Sequence, residues 1–145
     1  MRMPDINVLI YAHRQDMVGH AFYRKWVERI VAGPEPFALS LLATVGFVRV
    51  VTHASFPGGP TPLEQALAVV DALLAAPTCV PVSPGPRHWQ IVSTLCRATR
   101  ASGKRVADAQ HAAIAIEHGA TWITRDDDFA LFAPHGLRWQ SLAPG

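Results

Sequence analysis

The stretch VADAQHAAIAIEHGATWITRDDDF, residues 106–129, changes its local rule three times. Asp108 to His118 is alanine-rich and reads as a helix. Gly119 stands in the C′ position, where a glycine takes the left-handed turn that ends a helix. Thr121 to Thr124 is β-branched and aromatic, the composition of a short strand. Arg125, Asp126, Asp127 and Asp128 follow at once, so a strand runs directly into a cluster of acids.

The same alternation extends outward. Met1 to Asp5 reads as a very short strand and Asn7 to Ala12 as the opening of a helix. From Gly19 to Ala32, Phe22, Trp26, Val27 and Ile30 recur at helical spacing, and Arg24, Lys25, Glu28 and Arg29 take the outer face. Gly33-Pro34-Glu35-Pro36 stops that helix. Phe37 to Leu39 is a strand candidate, and Ser40 is placed to cap a helix running to about Val51. A Pro/Gly loop, Phe56 to Pro62, leads to a helix over Pro62 to Ala75 with proline at a favoured first position. Thr78 to Val82 reads as a strand. Arg87 to Ser102 reads as a helix with Trp89, Val92, Leu95 and Cys96 inward, and Trp139 lies near a final strand. Helices alternating with strands, without repeat or linker, predict a single α/β domain over residues 1–145 with a mainly parallel sheet. Ligands of such sheets bind beyond the carboxyl ends of the strands.

Composition narrows the function classes. The chain has 145 residues, 50% hydrophobic and 17% charged, which excludes a disordered tail protein. No apolar run reaches the ~18–20 residues of a membrane span, and Met1 to Asp5 lacks the apolar region of an export signal. Cys79 and Cys96 do not form a disulfide framework, so a cytoplasmic setting is expected. A formal charge of +2 permits nucleic acid as a partner without demanding it.

Only eleven carboxylates are present. Asp5 follows the first strand, Asp126 follows the strand at Trp122 to Thr124, and Asp108 opens a helix after Gly103-Lys104-Arg105. All three can face one crevice, whereas Glu28, Glu64, Asp71 and Glu117 read as ordinary surface charges within helices. An aspartate at a helix start is commonly a cap worth ~1 kcal/mol, and an aspartate run is commonly a turn. Convergence separates the readings. Two carboxylates at 4 Å repel by about 4 kcal/mol at an effective dielectric of 20, so gathering three requires a cation. Oxygen-only ligands suit Mg²⁺ or Mn²⁺.

Three segments carry a family resemblance: Asp5-Ile-Asn7-Val-Leu-Ile-Tyr-Ala12, Val106-Ala-Asp108 with its alanine-rich continuation, and Trp122-Ile-Thr124-Arg-Asp126-Asp-Asp128-Phe129. Together they resemble the PIN-domain nucleases, and most of all the VapC toxins of bacterial toxin–antitoxin pairs. Gly46 to His53 and Pro84 to Trp89 resemble a mycobacterial-type branch. The resemblance implies a five-stranded parallel sheet flanked by helices and a Mg²⁺- or Mn²⁺-dependent endoribonuclease. Such toxins cut tRNA, rRNA or other structured RNA, stop translation, form homodimers, and are neutralised by a cognate VapB antitoxin. Carried over, Asp5 is the first metal ligand with Asn7 as its hydrogen-bonding neighbour. Asp108 is a direct ligand. Asp126 holds the metal through water or a second ion, and Thr124 is the hydroxyl beside it. Asp128 supports the site or caps the turn at Phe129. One departure stands out: the family commonly has a Glu near Gly46, and here no acid lies between Glu35 and Glu64. That leaves one or two metals open, or close backbone packing at Gly46.

Arg97, Arg100, Lys104 and Arg105 precede Asp108 and form the best basic cluster for RNA phosphates. His111 lies three residues after Asp108, on roughly the same helix face, and is a candidate RNA contact. Pro4 is expected at the end of its strand, where its missing donor is tolerated. A binding module that has lost turnover with the missing Glu is the alternative reading. A phosphatase-like protein is disfavoured because Asp5-Ile-Asn7 replaces an Asp-x-Asp nucleophile.

Overall fold

The computed structural model describes residues 1–145. Its core is a five-stranded sheet of order β3-β2-β1-β4-β5, with every neighbouring pair parallel. The strands are β1 (Arg2–Pro4), β2 (Phe37–Ser40), β3 (Cys79–Val82), β4 (Thr121–Thr124) and β5 (Trp139–Ser141). The helices are α1 (Ile6–His13), α2 (His20–Ala32), α3 (Leu41–Val51), α4 (Leu63–Leu74), α5 (His88–Thr99) and α6 (Lys104–Glu117), and a 3₁₀ segment spans Asp127–His135. No helix is long and apolar enough to cross a membrane.

Both faces of the sheet are covered, which is why its strands carry near-continuous apolar runs. On one face Met3, Ala38 and Trp122 pack with Val92 and Leu95 of α5 and with Ala109, Ala112 and Ala113 of α6. On the other, Phe37 and Leu39 meet Leu9, Phe47 and Val51, while Ile123 meets Val8 and Tyr23. The alanines of α6 let that helix lie close to the sheet, and Trp122 fills the remaining space.

The chain builds leftward from β1 to β2 and β3, then returns to place β4 and β5 on the other side. The order therefore reverses between β1 and β4, where the carboxyl ends splay into a crevice. Pro4 is the last residue of β1, as expected. The Asp5 amide bonds Ile123 O at 2.8 Å, so strand alternation turns the donor-less Pro4 nitrogen toward β2, where β1 is bridged only through Arg2 and Phe37.

Ser40 caps α3 by accepting the Ala43 amide at 3.3 Å, and Gly119 adopts φ +64° after α6. Three expectations need correction. Trp89 is 76% exposed, because it lies in the first turn of α5, ahead of Val92 and Leu95, which reach the core. The sixth helix begins at Lys104, with Gly103 at φ 58° as its boundary, so Asp108 sits in the second turn and is not a cap. Glu117 is not a free surface charge: its carboxylate accepts the amides of Gly85 at 2.8 Å and Arg87 at 2.9 Å, tying the start of α5 to the end of α6.

Candidate active site at the β1–β4 crevice

Asp5 leaves the end of β1 and is only 6% exposed. Its neighbour across the crevice is the buried Thr124, the last residue of β4, whose hydroxyl donates to Asp5 Oδ2 at 2.6 Å. Thr124 Oγ1 itself accepts the Asp126 amide at 2.9 Å and Asn7 Nδ2 at 3.3 Å. Asn7 Oδ1 in turn accepts the Arg125 amide at 3.2 Å, so Asn7, expected as the hydrogen-bonding neighbour of Asp5, bonds Thr124 and Arg125 instead. Thr124 therefore ties the first turn of α1 to the segment after β4, fixing Asp5 and Asp126 relative to each other. Asp126 also caps the 3₁₀ segment, its Oδ1 accepting the Asp128 amide at 2.9 Å. That cap position belongs to Asp126, and Asp128 lies within the first turn it caps.

Asp108 approaches from α6 on the other side. It lines an open cavity of about 280 Å³ with Arg100, Ser102, Lys104, Arg105 and Asp128. Arg100, Lys104 and Arg105 of the predicted basic cluster are thus brought to the acids. Arg97 is exposed on α5 and does not line the cavity. Arg100 is the one non-glycine residue with positive φ, 52°, an uncommon conformation for such a side chain. Lys104 Nζ lies 3.5 Å from Asp126 Oδ2, with the lysine largely in solvent.

Electrostatics link the two sides. Burial pushes the Asp5 carboxyl up to about 6; the Thr124 hydrogen bond opposes this, and Asp108 and Asp126 raise it further. Burial also raises Asp108, with Lys104 pulling down and Asp126 pushing up. No three His, Cys, Asp or Glu side chains close into a ready metal cage. The donor chemistry still fits a hard divalent cation. Asp5 is a buried carboxylate whose side-chain partner is a neutral hydroxyl, and its charged neighbours by field are other acids. A buried charge in that setting is costly until a cation compensates it, and the oxygen-only donors of Asp5, Asp108 and Asp126 suit Mg²⁺ or Mn²⁺.

His111 is not at the site edge. Its ring stacks on Trp122 with centroids 5.3 Å apart, its Nδ1 is buried without a partner, and burial holds it down at about 4. Three residues along a helix keep the face only approximately, and here the ring turns inward onto Trp122 of β4. At Gly46, a Cβ would overlap Ile6 Cδ1. The residue next to Asp5 thus occupies the space that a side chain at position 46 would need, which gives the glycine a packing reason. The sequence reading gives no role to Arg125, whose side chain the structure holds in a defined place. Its guanidinium lies 3.6 Å from the Tyr11 ring centroid, and its Nε donates to Tyr23 Oη at 2.8 Å. The available signal was its place between Thr124 and Asp126.

Comparison with known proteins shows the family. The PIN domain family model matches residues 2–133. VapC ribonuclease Mb2897 of Mycobacterium bovis is 44% identical over 141 residues, covering 97% of this chain and 95% of that protein. Ribonuclease VapC25 of Mycobacterium tuberculosis is 40% identical over 133 residues, covering 92% and 94%. Among solved structures, VapBC2 of Rickettsia felis bound to a promoter DNA fragment superposes with a TM-score of 0.68 at 16% identity, covering 97% of each chain. Mycobacterium tuberculosis VapC20, a sarcin-ricin loop cleaving toxin, gives 0.65 at 11% identity, covering 94% of this chain and 97% of that one. A crevice of acids between β1 and β4, a family match over most of the chain and near-full-length identity to VapC ribonucleases lead to one conclusion: this chain belongs to the PIN-domain family, within its VapC ribonucleases.

Proposed function

We propose that this protein is a Mg²⁺- or Mn²⁺-dependent endoribonuclease toxin that cuts tRNA or rRNA and so inhibits translation. The observation that carries the reading is the Asp5–Thr124–Asp126 network facing Asp108 across the switch-point crevice. Asp5 and Asp108 would hold the cation, and Asp126 would help to position it or an attacking water. The ion, when bound, neutralises charge on the scissile phosphate and makes water a better nucleophile. Thr124 holds Asp5 by its hydroxyl proton and keeps Asp126 in register. Arg100, Lys104 and Arg105 draw phosphate toward a site whose own charge is negative. Single-stranded loops suit such a compact site better than A-form grooves, because splayed bases can be reached.

A VapB-like antitoxin is the proposed partner, supported by the fold shared with VapBC complexes. A homodimer is the proposed assembly, supported by exposed Leu63 and Leu67 on α4 and Val45 on α3; light scattering on the purified chain tests it. A second reading, an RNA-binding module with weakened turnover, draws support from Gly46 packed on Ile6 where a carboxylate is absent. Incubation with total bacterial tRNA and rRNA in Mg²⁺, Mn²⁺ or EDTA separates the two. Discrete fragments that require the metal support the nuclease. RNA that is bound but intact in every condition supports the module.

A further inference from the structure

We propose that Arg125 is a phosphate-anchoring residue for the RNA strand, on the α1–α2 side of the crevice and opposite Arg100, Lys104 and Arg105. The inference rests on the ribonuclease reading above. The guanidinium is fixed without being consumed. It lies over the face of Tyr11 at 3.6 Å and 5.3 Å from the centroid of Tyr23. Its Nε donates to the Tyr23 hydroxyl at 2.8 Å, and that hydroxyl, on a fully buried ring, donates to Leu142 O at 2.8 Å. The Arg125 amide is held by Asn7 Oδ1. Neither Nη makes a hydrogen bond or ion pair within the chain, and the residue is exposed. An aromatic face and one hydroxyl thus hold the planar fork while its two Nη groups remain open for an acceptor.

The acids do not use this charge. No carboxylate pairs with Arg125, and its one side-chain acceptor is the neutral Tyr23 hydroxyl, so its charge is left uncompensated within the chain. Its backbone nevertheless sits between Thr124 and Asp126, which bound the crevice. A preorganised guanidinium loses little freedom on engaging a phosphate and matches two of its oxygens at once. With Lys104 and Arg105 on the far side, the strand would cross the acids between two cationic walls, with the scissile phosphate over the acids and a neighbouring one on Arg125.

The test measures binding in an Asp108→Asn background, which does not cut. A fluorescein-labelled, mixed-sequence single-stranded RNA of about 20 nucleotides is titrated by anisotropy at several salt concentrations, with the same protein carrying Arg125→Gln, Arg125→Lys or Lys104→Gln. Losing one phosphate contact lowers the salt slope by about 0.7 for a single strand, or about fivefold in affinity at 0.1 M salt. Arg125→Gln is expected to show that loss, and Arg125→Lys, which keeps the charge, to retain the slope. If Arg125→Gln lowers the melting temperature but leaves slope and affinity unchanged while Lys104→Gln reduces both, Arg125 serves only the fold and the proposal is overturned, with the ribonuclease reading intact. If the parent protein does not bind RNA at all and the wild type does not cut it, both readings fall.

Discussion

Replacing Asp5 with Asn should stabilise the metal-free protein while removing its activity. Asp5 is nearly buried, and its carboxyl is lifted from an ordinary 3.8 to about 6, first by burial. Above pH 6 the fold must keep this group ionised against that lift, at a cost of about 3 kcal/mol. Asparagine is neutral, has nearly the same shape, and still offers an oxygen to the Thr124 hydroxyl. The sign follows from proton binding. Between 3.8 and 6 the folded state binds the Asp5 proton more tightly than the unfolded chain, so this residue's contribution to stability falls as pH rises and is lowest above 6. The variant should therefore gain up to about 3 kcal/mol at pH 7.5, roughly 6–12 °C in melting temperature for a chain of this size, and nothing near pH 4. Thermal melts in EDTA at the two pH values measure it. Mg²⁺ should then raise the wild-type melting temperature more than that of the variant, because it binds the folded carboxylate site. A variant that melts below wild type at pH 7.5, or whose advantage persists unchanged at pH 4, would refute the idea of an uncompensated buried carboxylate.

His111 works in the opposite direction. Burial holds its ring at about 4, so between pH 6.5 and 4 the unfolded chain binds the extra proton and stability falls as pH falls, by up to about 3 kcal/mol. In wild type the Asp5 and His111 slopes largely offset; urea midpoints of His111→Phe in EDTA should rise on acidification, and those of Asp5→Asn should drop. At position 46, alanine gains about 1 kcal/mol of helix propensity but overlaps Ile6 Cδ1, and overpacking costs about 1–3 kcal/mol. Because the atom in the way is the movable end of the Ile6 side chain, Gly46→Ala is expected to stay within about 1 kcal/mol of wild type by urea denaturation, and a loss above about 3 kcal/mol would show that Ile6 cannot move aside. Ser40→Ala removes the acceptor of the Ala43 amide and should lower stability by about 1 kcal/mol, with no effect on metal dependence of cleavage.

The parts legible in the sequence are those written in local chemistry. Alternating strand and helix signals, the Ser40 cap and the Gly119 stop are decided within a few residues, and they suffice to put Asp5 and Asp126 at strand ends, while the pairing of β1 with β4 comes from the fold. The parts missed depend on distant partners. Thr124 reaches Asp5 across 119 positions, and nothing near Glu117 announces that its acceptors serve Gly85 and Arg87. His111 looked like a neighbour of Asp108 because helical spacing specifies a face only to within a fraction of a turn, while the large Trp122 ring on β4 decided which way it packs. Trp89 carried a core residue's chemistry at a helix end that overhangs the core. Arg125 stood inside the most legible motif, yet its meaning lies in Tyr11 and Tyr23, on two other helices. Gly46 shows the reverse: a missing acid at the level of sequence becomes a close approach to Ile6 in three dimensions.

The most direct test of the central claim is end-mapped cleavage of total bacterial tRNA and rRNA by wild type, Asp5→Asn and Asp108→Asn side by side, with circular dichroism on each sample. Discrete fragments from the wild type in Mg²⁺ or Mn²⁺, none in EDTA, and a fall of roughly a hundredfold or more in both folded variants is the predicted result. Cleavage at the wild-type rate by either folded variant, or by the wild type in EDTA, would contradict the assignment of the β1–β4 crevice as the catalytic site.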